Sequence, residues 1–269
     1  MSPEIASPIG YVIVALFGTV VGSFLNVCIA RIPNGESIVY PTSHCPKCRA
    51  PIAVYDKIPL ISYLMLQGRC RSCLEPISSR YFFVELLMGL VAAALYYRFG
   101  LGFEFFVGFI FVGALLVIAF IDLDVRMVPD VISLPGIISG LAVSMIGYFF
   151  IGGQPSIVPS PVSSVVGILV GGGFLLATAW IYEKLTGVEG MGGGDIKLLA
   201  MIGAFLGWPA IPITLFFASL VGSIVGIACM IWTGAGRRLA LPFAPFLCSG
   251  AVVFIFFGQD LARFYLPPA

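Results

Sequence analysis

Residues 105–121 read FFVGFIFVGALLVIAFI, and the chain passes from them directly into Asp122, Leu123, Asp124, Val125, Arg126, Met127, Val128, Pro129 and Asp130. An uncharged run of this length is enough for a helix to cross the hydrocarbon core of a bilayer. Comparable runs lie near 9–30, 81–99, 131–151, 162–182, 210–232 and 242–258, and a shorter one at 196–207 follows a cluster of glycines. The whole chain is 59% hydrophobic and 10% charged, against roughly 25% charged in soluble domains. A chain this apolar needs lipid around it. The expected fold is therefore an all-α polytopic membrane protein of about eight transmembrane helices. Of the eight, the 196–207 run is the weakest span and is expected to be partial or tilted.

Charge sets the orientation. With the N-terminus outside, one set of loops carries Arg31, Lys47, Arg49, Lys57, Arg69, Arg71, Arg80, Arg126, Lys184, Lys197, Arg237 and Arg238, and the other carries only Arg98 and Arg263. Cytoplasmic loops hold the lysine and arginine excess, so 31–80, 122–130 and 183–197 are expected in the cytoplasm. The first run follows no basic segment and precedes no small-residue cleavage site, so it reads as a permanent span. The organisation expected is a first transmembrane helix at 9–30, a cytoplasmic zinc-ribbon-like domain at 31–80 and a membrane core at 81–258. A net charge of +1 argues against nucleic acid as a partner, because that would require a basic stripe.

The segment 31–80 contains a unit that occurs twice, Cys45-Pro-Lys-Cys48-Arg-Ala-Pro51-Ile52 and Cys70-Arg-Ser-Cys73-Leu-Glu-Pro76-Ile77. Two C-x-x-C knuckles facing each other would offer four thiolates to one zinc ion, a closed structural site with no open position for substrate. A reducing compartment argues against the alternative of stable disulfides. Cys28, Cys229 and Cys248 lie inside apolar runs and read as packing residues.

Two acidic clusters stand at span ends. Asp122 closes one apolar run, and Asp195 opens another after Gly192, Gly193 and Gly194, with Lys197 just beyond. Both are expected at one membrane depth on one face. Two carboxyls held close share one proton, so one can activate water while the other polarises a carbonyl. That is peptide hydrolysis without a histidine base, and His44 is the only histidine. The glycine run is expected to supply unusual backbone conformations and close approach for an extended substrate. Asp124 and Asp130 read as ordinary boundary residues. Glu85, just inside the second span, is costly there and is expected to pair with Arg80 or a neighbouring helix.

The spacing from Asp122 to Pro129, the stretch Gly192-Gly-Gly-Asp195-Ile-Lys197, the motif Gly22-Ser-Phe-Leu-Asn26-Val27 with Arg31 and Pro33, the paired cysteines, Asp56-Lys-Ile-Pro59, and Arg80-Tyr81 with Glu85 together resemble the type IV prepilin peptidases. Lys57, where asparagine is common, and Val128 before Pro129 are mild departures. The resemblance implies a bacterial inner-membrane aspartyl protease, with Asp122 and Asp195 catalytic and Cys45, Cys48, Cys70 and Cys73 holding zinc. It implies prepilin or pseudopilin substrates whose short basic leader is removed after a glycine. It also implies N-methylation of the new N-terminus, often phenylalanine, with S-adenosylmethionine as the methyl donor.

Overall fold

The computed structural model describes residues 8–151, 157–187, 192–233 and 241–262. Their long helices are α1 (Pro8–Arg31), α3 (Ser79–Phe99), α4 (Phe103–Val125), α5 (Asp130–Phe150), α6 (Pro161–Thr186), α7 (Gly193–Leu206), α8 (Ala210–Thr233) and α9 (Ala244–Ala262), with one short helix, α2 (Ile61–Met65), in the loop after α1. Six of these, α1, α3, α4, α5, α6 and α8, are long and apolar enough to cross a membrane. The polytopic all-α expectation holds, and each long helix falls on one of the apolar runs read from the sequence; where about eight spans were expected, six of the described helices are long and apolar enough to cross, and α7 and the apolar part of α9 are shorter. The loop at 152–156 and the basic residues Arg237, Arg238 and Arg263 lie outside the described residues. The chain forms two compact units that divide between Val117 and Ile118.

In the first unit α1 and α3 run antiparallel with their backbones nearly touching. A Cβ on Gly18 would sit 2.7 Å from the Ala92 Cβ and the Met88 carbonyl, and one on Gly22 would sit 2.7 Å from the Glu85 Cα. Lipid tails are as apolar as leucine, so helix pairing in a membrane depends on this kind of close contact between small residues. Val84, Met88, Ala92 and Leu95 fill the same face of α3.

The second unit is built around α7. Its 14 residues rise about 21 Å, short of the roughly 30 Å hydrocarbon core. This is the weak span of the sequence reading, and its shortness has a physical reason. Leu198 through Leu206 are buried without a break, so α7 is surrounded by protein instead of lipid. Gly167 of α6 meets Gly203 of α7 backbone to backbone. Beside that crossing the Ser164 hydroxyl donates to the Ala204 carbonyl at 2.7 Å. On the α5 side, Gly140 faces the Ala204 Cβ and Gly136 faces Met201. Gly207, at φ +79°, ends α7 in a backbone region that side chains disfavour.

Candidate functional site

The cysteine loop is built from two knuckles with one hydrogen-bond scheme. Cys45 N–H donates to the Ala50 carbonyl and Cys70 N–H to the Glu75 carbonyl, both at 2.9 Å. Arg49 N–H returns to the Cys45 carbonyl and Leu74 N–H to the Cys70 carbonyl, again at 2.9 Å. Arg49 and Leu74 turn the chain at φ 58° and 59°. Single bridges, His44 with Pro51 and Arg69 with Pro76, close each knuckle. The sequence repeat is thus a structural repeat.

The four sulfur atoms lie within 4.8 Å of one another, and Cys45 Sγ and Cys73 Sγ are 3.8 Å apart. A disulfide needs about 2.0 Å. A tetrahedron with metal–sulfur bonds of about 2.3 Å has edges of about 3.8 Å, so the cluster fits a metal ion. Backbone N–H groups of Cys48 and Lys47 lower the Cys45 thiol to about 6. Cys73 behaves oppositely. The Glu75 N–H favours its thiolate, but burial and the thiols of Cys48, Cys70 and Cys45 push it up to about 12. Four crowded thiols cannot all ionise alone, and a cation that replaces their protons resolves the conflict. His44 turns its Nδ1 to the Thr42 carbonyl, 3.1 Å away, and stands outside the cluster. A forked ion pair braces the loop. Arg71 donates to Asp56 at 2.8 and 2.6 Å and holds the Asp56 carboxyl below the usual carboxylate range.

The two aspartates come together in the second unit. Asp122 is the last buried residue of α4 before its exposed end, at 6% exposure. Asp195 lies in the first turn of α7. Both line one cavity of 530 Å³, together with Arg126, Met127, Val128, Asp130, Gly192, Gly193, Gly194 and Lys197. Every site residue read from the sequence around Asp195 is therefore at the cavity.

The glycines act differently from the expectation. Gly192 has φ −68°, and none of the three adopts a positive φ, so conformational freedom is not what they provide. Gly194 is needed for contact, because a Cβ there would stand 2.8 Å from the Val128 Cβ. Gly192 and Gly193 have nothing within 4 Å of a Cβ position, which leaves room for another main chain.

Three features escaped the sequence reading. Asp130, read as a boundary acid, opens α5 and binds Lys197, whose Nζ reaches its two oxygens at 2.7 and 2.8 Å. Arg126, counted only as a charge, ends α4 at φ 55° and lines the cavity; its N–H donates to the Asp122 carbonyl at 2.9 Å. The Asp122 Oδ2 accepts the main-chain N–H of Ala244, the first residue of α9, at 3.2 Å. Glu85 meets the neighbouring helix α1 through the Ser23 hydroxyl, as expected, and also a partner the sequence reading did not anticipate. Its Oε2 accepts the main-chain N–H of Leu60, in the loop, at 2.8 Å.

Comparison with known proteins agrees with this architecture. Residues 16–99 match the family described as Bacterial Peptidase A24 N-terminal domain, and residues 109–227 match the Type IV leader peptidase family. A protein of Aeromonas hydrophila named Prepilin leader peptidase/N-methyltransferase is 36% identical, with 94% of this chain and 93% of that one aligned. Proteins of the same name from Burkholderia pseudomallei (strain 1026b), at 35% over 93% and 85% of the two chains, and Myxococcus xanthus (strain DK1622), at 40% over 88% and 68%, are also similar. No solved structure matches the chain. With two carboxyls at one cavity, a four-cysteine loop, both family models matched and relatives at 35–40% identity aligned over 88–94% of this chain, the chain belongs to the type IV leader peptidase family.

Proposed function

We propose that this chain is a membrane aspartyl endopeptidase that removes the short basic leader of prepilins or pseudopilins after a glycine, and then N-methylates the exposed N-terminus with S-adenosylmethionine. The observation that carries the peptidase is the shared cavity of Asp122 and Asp195, reached from helices 73 positions apart in the sequence. Asp122 is the carboxylate that takes a proton from the attacking water. Its Oδ2 already accepts a main-chain N–H at the start of a helix, where negative charge is favoured. Asp195 is the acid that polarises the scissile carbonyl and protonates the leaving amine. The open side of Gly192 and Gly193 admits the extended substrate, and Lys197, tied to Asp130, fixes the first turn of α7.

The substrate fits this geometry. A basic leader stays in the cytoplasm while the apolar segment behind it enters the bilayer, so the scissile glycine lies at the boundary where α4 ends. The basic excess on 31–80, 122–130 and 183–197 supports that face as the cytoplasmic one, in the inner membrane. The metal of the Cys45–Cys48–Cys70–Cys73 cluster is a structural zinc that orders the loop.

The test is cleavage of a precursor with a basic leader by wild type, Asp122→Asn and Asp195→Asn in membranes. Each substitution should lower cleavage by at least roughly 10²–10⁴-fold, the usual contribution of a positioned acid or base, with zinc retained. Cleavage by both variants at the wild-type rate would show that these are boundary residues.

A further inference from the structure

Methyl transfer to an amine needs a site of its own kind. An N-terminal amine has a pKa of about 8, so at neutral pH it is mostly an ammonium with no lone pair to attack a methyl group. A site for it must present acceptors to the N–H groups and take up one proton.

The first unit holds such acceptors where α1 and α3 meet below the loop. Asn26, fully buried, donates from Nδ2 to the Tyr81 carbonyl at 3.0 Å. Its Oδ1 is buried and has no hydrogen-bond partner. One helical turn away on α3, Glu85 is 7% exposed. Its carboxyl accepts the Leu60 N–H at 2.8 Å and a hydrogen bond from the Ser23 hydroxyl. The backbone contact at Gly22 brings α1 against Glu85, which sets Ser23 and Asn26 along the Tyr81–Glu85 turn.

Leu60 adds a second sign. It has φ 61° and ψ −50°, and the Ile61 N–H folds back to the Pro59 carbonyl at 2.6 Å. This is a γ-turn of the rare, strained form, and such outliers concentrate at functional sites. The Glu85 carboxyl holds it from below. A buried acceptor without a donor is uncommon in native proteins. With a carboxyl one helical turn along α3 from its Tyr81 anchor, the group that satisfies both is rich in N–H.

From this juxtaposition of Glu85, the unpartnered Asn26 Oδ1 and the strained Leu60 turn, we propose that Asn26 and Glu85 receive the new N-terminal amine of the cleaved substrate for methylation. The assignment rests on the two-reaction reading above. Asn26 Oδ1 accepts one N–H of the ammonium. Glu85 takes the proton of another, leaving the nitrogen lone pair free. The nitrogen–methyl bond then forms as the methyl–sulfur bond of the sulfonium donor breaks, and sulfur keeps the electron pair as a neutral thioether. The methylated amine carries the positive charge that the sulfonium lost. Ser23 and the Leu60 main chain, the neutral groups bonded to Glu85, hold the carboxyl in place.

The experiment uses the full zinc-loaded chain, Glu85→Gln and Asn26→Leu. The substrates are the uncleaved precursor and, separately, a precleaved segment beginning with a free phenylalanine. Mass spectrometry reads the added methyl group. Glu85→Gln should cleave the leader at the wild-type rate and keep its zinc, yet methylate about 10²-fold more slowly at neutral pH. That deficit should shrink as pH rises past about 8, where the amine deprotonates unaided. Asn26→Leu should raise KM for the precleaved segment and leave leader cleavage intact.

Methylation by Glu85→Gln at the wild-type rate would overturn the proposal. So would a deficit equal at every pH, or joint loss of cleavage, methylation and zinc, since those mark a purely structural carboxyl. A wild-type chain that cleaves but never methylates would instead overturn the two-reaction reading itself.

Discussion

Gly194→Ala tests how tightly the cavity wall is built where Gly194 meets Val128. The added Cβ would lie 2.8 Å from the Val128 Cβ and 3.2 Å from its Cγ2. Ordinary contact begins at 3.4 Å, so the two segments must separate by about 0.6 Å at least. Val128 is 8% exposed and β-branched, stiff at χ1, so it cannot rotate the clash away. Overpacking of this kind costs about 1–3 kcal/mol. The larger effect is positional, because the next residue is Asp195. A misplacement near 1 Å in a reacting constellation costs on the order of 10²-fold in rate. Gly194→Ala should therefore cut leader cleavage by about 10- to 100-fold, measured as kcat on a detergent-solubilised precursor, with a modest fall in thermal stability. Gly193→Ala, with open space at its Cβ position, should leave stability unchanged and act only on KM. Pairing Gly194→Ala with Val128→Gly, which removes the opposing Cβ, should recover part of the lost kcat. Wild-type cleavage by Gly194→Ala, or equal destabilisation by Gly193→Ala, would refute the reasoning.

Lys197→Met breaks a pair whose side chains are 38% and 55% exposed. Thermal unfolding should shift by no more than corresponds to about 1 kcal/mol, and cleavage should fall less than in Asp195→Asn. Cys70→Ser should abolish metal binding by the four-cysteine cluster, read by elemental analysis after zinc loading, and open residues 45–73 to limited proteolysis while leader cleavage persists. For Asp56, the depressed folded-state value means that its pair with Arg71 stabilises the loop fully above about pH 4, the unfolded value. That contribution is lost as pH falls through the lower folded value. Asp56→Asn should reproduce the acid-weakened loop at neutral pH, seen as faster zinc transfer to a chelator.

The membrane helices were legible because hydropathy reports on the solvent around a helix, and each apolar run became a helix, six of them long and apolar enough to cross a membrane. The same signal understated α7, whose short run looked marginal for lipid because it is enclosed by α5 and α6. The cysteine knuckles were legible because their ligands are side chains in a repeated spacing. What could not be read were the contributions of main chain. The Ala244 N–H on Asp122 and the Leu60 N–H on Glu85 come from residues whose side chains carry no polar chemistry. Glu85 was expected to seek a cation or a neighbouring helix; it meets the helix through Ser23, and the amide it also found in the loop could not be read. The purpose of Gly194 was likewise hidden, since it depends on where Val128 sits and not on what glycine permits.

The hydrogen bond from Ala244 to Asp122 joins residues 122 positions apart, and it bears on how the protein is made. Ribosomes deliver helices to the membrane in order, so α4 and α7 are in the bilayer, with both carboxyls, while α9 is still being translated. Until α9 arrives, Asp122 lacks its main-chain donor. A nascent chain therefore carries both carboxyls before the hydrogen bond that holds Asp122 can form, so the site is finished only when the last described helix packs.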